Sequence, residues 1–534
     1  MRKITFLFAL LLLTVGVFAD DITVTDDGSG VGTVTWTSDN VYLLDGFVFV
    51  NDGQVLTIEA GTTIKGKPGQ GESASALIVA MGGKIIARGT ADAPIIFTAE
   101  ADDGTMPATV NGQWGGLILL GKATTNNATE TKQIEGIPTT ETRAIYGGED
   151  DNDNSGQLKF VSIRHGGTDI GEGNEINGLT LGGCGKNTMI SYVEVVANKD
   201  DGVEFFGGLP RLDHILVAYV GDDSYDYDEG FRGYGQFWAT VQFDADGDRM
   251  GEHDGGPSDC ETCEPYAHPI IHNATYIGVP GEGRRVITLR DNAGGEYRNS
   301  IFAEQDKGID IEFVEESDDS WSQWKTYGNL IIADNIFQNV ADGSAAKLFD
   351  MSVPKDTADN PKWDIPAGYE DEFAADFAAQ NNSVADVGVS VADPVPTGDV
   401  SGPDYTGAPG WFAQVDFKGA FAPGTMWAGG WTLAYADEAF IADEAATAIR
   451  EVKRMEASVY PNPVSSFATV NFEYRAGQVF TFKVYNLAGM LVREVNNITT
   501  GEFNFNRGNL ESGIYIYDLS NEIGVTLSGK LMMK

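Results

Sequence analysis

A parallel β-helix followed by a small antiparallel β-sandwich is the architecture that this sequence predicts. Three observations carry that expectation. The stretch "DDGVEFFGG" at residue 200 returns as "DDSYDYDEG" at residue 222 and as "DADGD" at residue 244, a period of 22. Aligning these returns without gaps puts Ile190, Leu212 and Tyr234 in one apolar column, Val193, Ile215 and Phe237 in a second, and Val195, Val217 and Ala239 in a third. Columns two residues apart that repeat at a fixed period describe strands stacked coil upon coil. Finally, β-branched and aromatic residues fill the repeats, and glycine and aspartate end them, which disfavours a helical repeat.

The elements follow in order. Residues 1–19 begin with Arg2 and Lys3, continue as "ITFLFALLLLTVGVFA" and reach Asp20, the order of a secretory signal peptide cleaved after Ala19. That apolar run is short of the ~20 residues a spanning helix needs. The mature chain is expected to have no transmembrane segment, and no cysteine stands at the cleavage point to accept a lipid. Residues 20–435 read as the β-helix. "FVFVNDGQVLTIEAGTTIKG", "SALIVAMGGKIIARGTADAPIIFTA" and "NGQWGGLILLGKA" precede the 22-residue repeats, and "HPIIHNATYIGV", "RRVITLRDNAGG" and "YGNLIIADNIFQNV" continue them. Loop insertions are expected at 124–157 and 245–268, and an excursion with one helix-like patch, "YEDEFAADFAAQ", at 353–410. "VDFKGAFAPGTMWAGGWT" is expected to cap the stack, because an open solenoid end must be covered. Residues 436–456, alanine-rich and charged, read as a linker, and 457–534 as a compact sandwich of alternating strands.

With 79 acidic and 35 basic residues the net charge is -44, so nucleic acid is excluded as a partner and cations are favoured. A hydrophobic share of 42% still supplies a core.

The last eighty or so residues resemble the C-terminal (type A) sorting domain of cargo exported by the type IX secretion system of Bacteroidota. Pro461, Asn462 and Pro463 after Tyr460, the strand "VYNLAGMLV", the strand containing Gly513, Tyr515 and Tyr517, and the terminal "SGKLMMK" with Gly529 and Lys530 carry the likeness. The resemblance implies passage through the periplasm, recognition by the type IX machinery, and a final place outside the cell or on its outer surface. The body, through "LTIEAGTTIKG", "GQWGGLILLGKA", "EINGLTLGG" and the repeats, is similar to Bacteroidota surface proteins expected to be right-handed parallel β-helices. That likeness implies a fold and an address, not a chemistry.

In a stacked coil, residues one period apart lie about 4.8 Å from each other. Asp200, Asp222 and Asp244 are therefore expected to form one carboxylate ladder, and Glu204, Asp226 and Asp248 another, with Asp201, Asp223 and Asp246 alongside. Like charges at that spacing repel by roughly 1 kcal/mol in water and by more where water is excluded. A hard cation relieves the repulsion, and Ca²⁺, which takes about six to eight oxygens, is the expected ligand. The competing expectation is that these acids are solvated turn residues capping backbone N–H groups.

A carbohydrate-active enzyme, a polysaccharide lyase or glycoside hydrolase using the acids at 200–248, is the alternative function. Retaining glycosidases place two carboxylates about 5 to 5.5 Å apart, and a lyase would draw its base from Arg211, Arg232, Arg249, Arg284 or Arg285. No catalytic residue is assigned, and His165, before Gly166, reads as structural. Cys260 and Cys263 are expected to form a local disulfide, with a zinc site completed by His253 and His268 as the alternative. The leading functional expectation is adhesion-like binding of glycan, matrix or another cell along the solenoid face.

Overall fold

The computed structural model describes residues 20–171, 174–242, 247–257, 260–315, 317–355, 360–435, 458–472, 480–486, 491–521 and 526–534. The expected signal peptide and linker, and Asp244 and Asp246, lie outside these residues. The chain forms two compact units, Met1–Ala446 and Thr447–Lys534.

The first unit is a parallel β-helix. One wall is a ten-stranded parallel sheet running from Phe47–Val50 through Ala76–Val79, Leu117–Leu120, Leu179–Gly182, Val203–Phe206, Tyr225–Asp228, Gly251–Asp254, Arg285–Arg290 and Lys307–Glu312 to Phe349–Ser352. Alternate residues of each strand point inward. Two inward columns therefore build the core: Leu179, Val203, Tyr225 and Ile287 in one, Leu181, Phe205, Tyr227 and Leu289 in the other.

The opposite side is made of longer strands that turn a corner. Gly156–Arg164, Met189–Val196, Arg211–Ala218 and Tyr234–Val241 each bend at one residue of positive φ: Phe160 (47°), Tyr192 (53°), His214 (54°) and Phe237 (58°). Such a conformation strains a large side chain. Here the rung spacing brings successive rings to 4.5, 4.2 and 4.7 Å, and the stacked column offsets the strain. In later coils Asn273, Asn299 and Asp334 turn the same corner.

The 22-residue period holds for one coil and then lengthens. Ile190 pairs with Leu212, Val193 with Ile215 and Val195 with Val217, as the gapless alignment expects. In the next coil Tyr234 pairs with Arg211, so Gly235, Trp238 and Thr240 take the column positions expected for Tyr234, Phe237 and Ala239. One extra residue in the turn shifts the phase, and because side chains alternate, the hydrophobic pattern follows the new register.

The expected cap is also corrected. The far end of the stack is closed by the helix Tyr369–Ala379, whose Phe373 and Phe377 rings pack 5.6 and 6.1 Å from Phe349. "VDFKGAFAPGTMWAGGWT" instead belongs to a strap along the outside. Val387, Val389, Phe417, Ala420, Phe421 and Ala434 cover the outward residues Val196, Leu216, Ala239, Ile277, Ile301 and Ile336. The strap is fixed to the coil where the buried Glu194 carboxylate accepts the N–H groups of Leu433 (2.7 Å) and Ala434 (2.8 Å).

The second unit holds a three-stranded and a four-stranded antiparallel sheet around Val470, Phe482, Phe505 and Leu531. Asn462 donates to the Lys530 carbonyl (3.0 Å) and accepts from the Met532 N–H (2.8 Å), tying the Pro461–Pro463 turn to the last strand. Gly529 sits opposite Tyr517, where a Cβ would lie 2.6 Å from the ring, so only glycine admits it.

Candidate metal centre

The turns before two neighbouring strands of the ten-stranded wall each supply a pair of acids. Asp200 and Asp201 precede Val203–Phe206, and Asp222 and Asp223 precede Tyr225–Asp228. The next coil is longer: Tyr225 pairs with Gly251, four residues beyond the expected step. The Asp248 N–H bonds the Asp222 carbonyl (3.0 Å), so Asp248 stands in the place expected for Asp244. The second expected ladder is corrected in the same way, because Asp226 pairs with Glu204 on one side and with Glu252, not Asp248, on the other.

The stacking brings seven of the expected carboxylates together. Ligand atoms of Asp200, Asp201 and Asp222 lie within 4.8 Å of one another, as do those of Asp201, Glu204 and Asp226, and those of Asp222, Asp223 and Asp248. This cluster of acids can hold a metal ion. The solvated-turn expectation accounts for it poorly, since Asp223, Asp201 and Glu204 are only 2%, 7% and 8% exposed.

Hydrogen bonds partly satisfy the cluster. Asp201 Oδ1 accepts from the Asp223 N–H (2.8 Å), Asp223 Oδ1 from the Arg249 N–H (2.5 Å), and Asn177 donates to Glu204. Asp226 Oδ1 is sealed from solvent and has no hydrogen-bond partner. Burial, then the neighbouring charge of Asp222, raises the Asp200 carboxyl to about 7. Burial and Glu229 raise Asp228 to about 7 as well. Desolvation drives Asp201, Glu204, Asp223 and Asp226 well above the ordinary carboxylate range, reinforced by neighbouring acids: Asp223 and Glu204 at Asp201, Glu135 at Glu204, Glu252 at Asp223 and Glu204 at Asp226. The group therefore resists full ionisation unless positive charge enters.

Arginine supplies that charge at one end only. Arg249 pairs with Asp223 (3.2 Å), Asp248 (3.2 Å) and Glu252 (2.6 Å), Arg290 with Glu252 (2.9 Å) and Asp254 (2.6 Å), and Arg285 with Asp310 (2.9 Å). Among the described residues, no salt bridge reaches Asp200, Asp201, Glu204, Asp222 or Asp226. Glu135, from the insertion, and Glu175, from the hairpin Asp169–Gly171 with Asn174–Glu175, add further negative charge there.

Sequence reasoning missed Glu135, Glu175, Asn177, Asp228 and Arg290. Allowing the period to stretch would have found the Asp226–Glu252 step. Asp228 stands two residues after Asp226 in the repeat itself, whereas nothing local marks Glu135, Glu175, Asn177 or Arg290, which come from an insertion and from other coils.

The remaining candidates are placed as follows. Cys260 and Cys263 are joined as a disulfide, and His253 is buried with Nε2 2.7 Å from the Tyr297 hydroxyl, so the zinc alternative has neither its thiolates nor a free His253. His165 is buried, with Nδ1 2.6 Å from the Val110 carbonyl, and burial lowers its pKa. Arg232 donates to the Thr124 carbonyl (3.0 Å), and Arg211 lies over the Tyr234 ring.

No helix among the described residues is long and apolar enough to cross a membrane. No curated protein matches the chain. A solved structure to which it is similar is the full-length tailspike protein 2 from Escherichia coli O157:H7 bacteriophage CAB120, at 8% identity over 96% of this chain and 68% of that chain, with a TM-score of 0.20. Residues 458–534 match the secretion system C-terminal sorting domain, which implies export by type IX secretion to the outside or the outer surface. Residues 28–380 match the pectate-lyase like beta helix domain, and the chain belongs to that family.

Proposed function

We propose that this exported β-helix works by contact, binding glycan, matrix or another cell surface along its shaft, with Ca²⁺ held in the carboxylate cluster to stiffen the coils at 200–248. The observation that carries the cation is the set of five carboxylates, Asp200, Asp201, Glu204, Asp222 and Asp226, packed together without a salt-bridge partner among the described residues. Oxygen-only ligands at coil spacing suit a hard ion that tolerates irregular geometry, which favours Ca²⁺ over Mg²⁺ or zinc. Melting the protein in chelator and in added Ca²⁺ tests this, and an unchanged midpoint removes the calcium.

A second reading, a polysaccharide lyase or glycoside hydrolase, draws on Arg249 beside the acids. Its guanidinium already spans three carboxylates, which favours charge compensation over proton abstraction. A polysaccharide panel scored for new reducing ends and unsaturated uronates separates the two: product formation establishes the enzyme, and binding without product supports contact. The same proposal includes a signal peptide at 1–19, a linker at 436–456, and recognition by the type IX machinery through Pro461, Asn462, Pro463, Gly513, Tyr515, Tyr517, Gly529 and Lys530.

A further inference from the structure

We infer that the carboxylate cluster is a two-ion site, with Asp201 shared between two hard divalent cations and the third triad closed to cations by Arg249. This rests on the cation reading above and goes beyond it in number, position and selectivity along the ladder.

The three triads are not equivalent. The set of Asp222, Asp223 and Asp248 is already bridged by Arg249, which lies 3.2 Å from both Asp223 and Asp248, so a metal ion there would have to displace a guanidinium held by three acids. The two remaining triads meet only at Asp201. One, with Asp200 and Asp222, lies at the turns and is partly exposed. The other, with Glu204 and Asp226, lies on the outward face of the strands, where both residues occupy one register column.

Two features beyond acidity point to a ligand in the inner triad. Asp226 Oδ1 is enclosed and unpartnered, although an oxygen without a donor in such a place loses its hydration for nothing. Asn177 meanwhile donates to Glu204 Oε2, which holds that carboxylate in place for a second interaction. The cations nearby are committed elsewhere: Lys199 lies 2.6 Å from Glu175, and Arg249 is held at the lower end. Five ionised carboxylates sharing one divalent ion would keep three uncompensated negative charges close together. Two ions would leave one.

The test is ion stoichiometry on the full mature chain, stripped with chelator and titrated with Ca²⁺, by native mass spectrometry and calorimetry. Two bound ions are expected. Asp226→Asn should remove one ion and leave the other within about threefold of its original affinity, Asp222→Asn should remove the complementary one, and Asp201→Asn should weaken both by at least tenfold. Each substitution removes an acid without changing the shape of the side chain, so the variants are expected to fold, and a melt in chelator checks this. A single ion abolished equally by Asp226→Asn and Asp222→Asn overturns the two-ion site but keeps the cation reading. No bound ion overturns both. Arg249→Gln should open the third triad and raise the count to three, and an unchanged count of two would overturn the assignment of Arg249 as the group that closes it.

Discussion

Asp226 and Arg249 show how the two ends of one acid row are handled differently. Where a guanidinium is present, its charge opposes the rise that burial imposes on Asp223 and Glu252. Where it is absent, burial and the neighbouring acids push the carboxyls toward their neutral form. Asp200 and Asp228 stand at about 7 against an ordinary 3.8. Their folded pKa values lie above the unfolded ones, so the stability they contribute is complete below about pH 4 and is lost as pH rises through about 7. In chelator the melting midpoint should therefore fall between pH 4 and pH 8, and saturating Ca²⁺ should flatten that fall; parallel curves would contradict it. Arg249→Gln leaves Asp223, a buried acid, without its cation, and should destabilise by about 3 kcal/mol in chelator, read by denaturant unfolding.

Single elements carry the next set of expectations. The insertion at 124–157 is pinned to the wall by Glu229, a fully buried residue that accepts from Lys132, Tyr146 and Asn127. Glu229→Gln weakens charge-assisted hydrogen bonds and should loosen the insertion by about 2 kcal/mol, seen as faster hydrogen exchange at 128–146 with the core unchanged. At the closing helix, Phe373 packs against Phe349, Trp321 and Trp324. Phe373→Ala should cost about 3 to 5 kcal/mol, with opening confined to the last coils. The sequence made the strands between 189 and 228 legible because that coil has the period its neighbours lack. It left the lengthened coils out of phase, since one added turn residue before Tyr234 and four before Gly251 carry no signal of their own. The strap escaped for another reason: Phe417 and Phe421 look like a core segment in sequence, and only the stacked aromatic column and the outward Leu216 and Ala239 reveal the surface they cover. Among the acids, those in turn pairs were readable, while Glu135 and Glu175 come from loops whose approach no pattern encodes.

For the whole molecule, the division into two units separates address from work. Deleting residues 458–534 should leave the β-helix folded but retained within the cell envelope of a type IX-competent host, detected by fractionation; continued appearance outside would show that these residues do not direct export. The first unit should keep its cooperative melt after that deletion, because its core clusters include none of residues 458–534.

The closing helix also limits how these shafts can assemble. A bare last coil offers a row of unpaired amides and carbonyls on which a neighbouring copy can add strand upon strand into a filament. With Phe373 and Phe377 seated across that end, axial polymerisation there is blocked. A second copy meeting the Phe349–Ser352 edge would therefore touch a helix rather than an open strand.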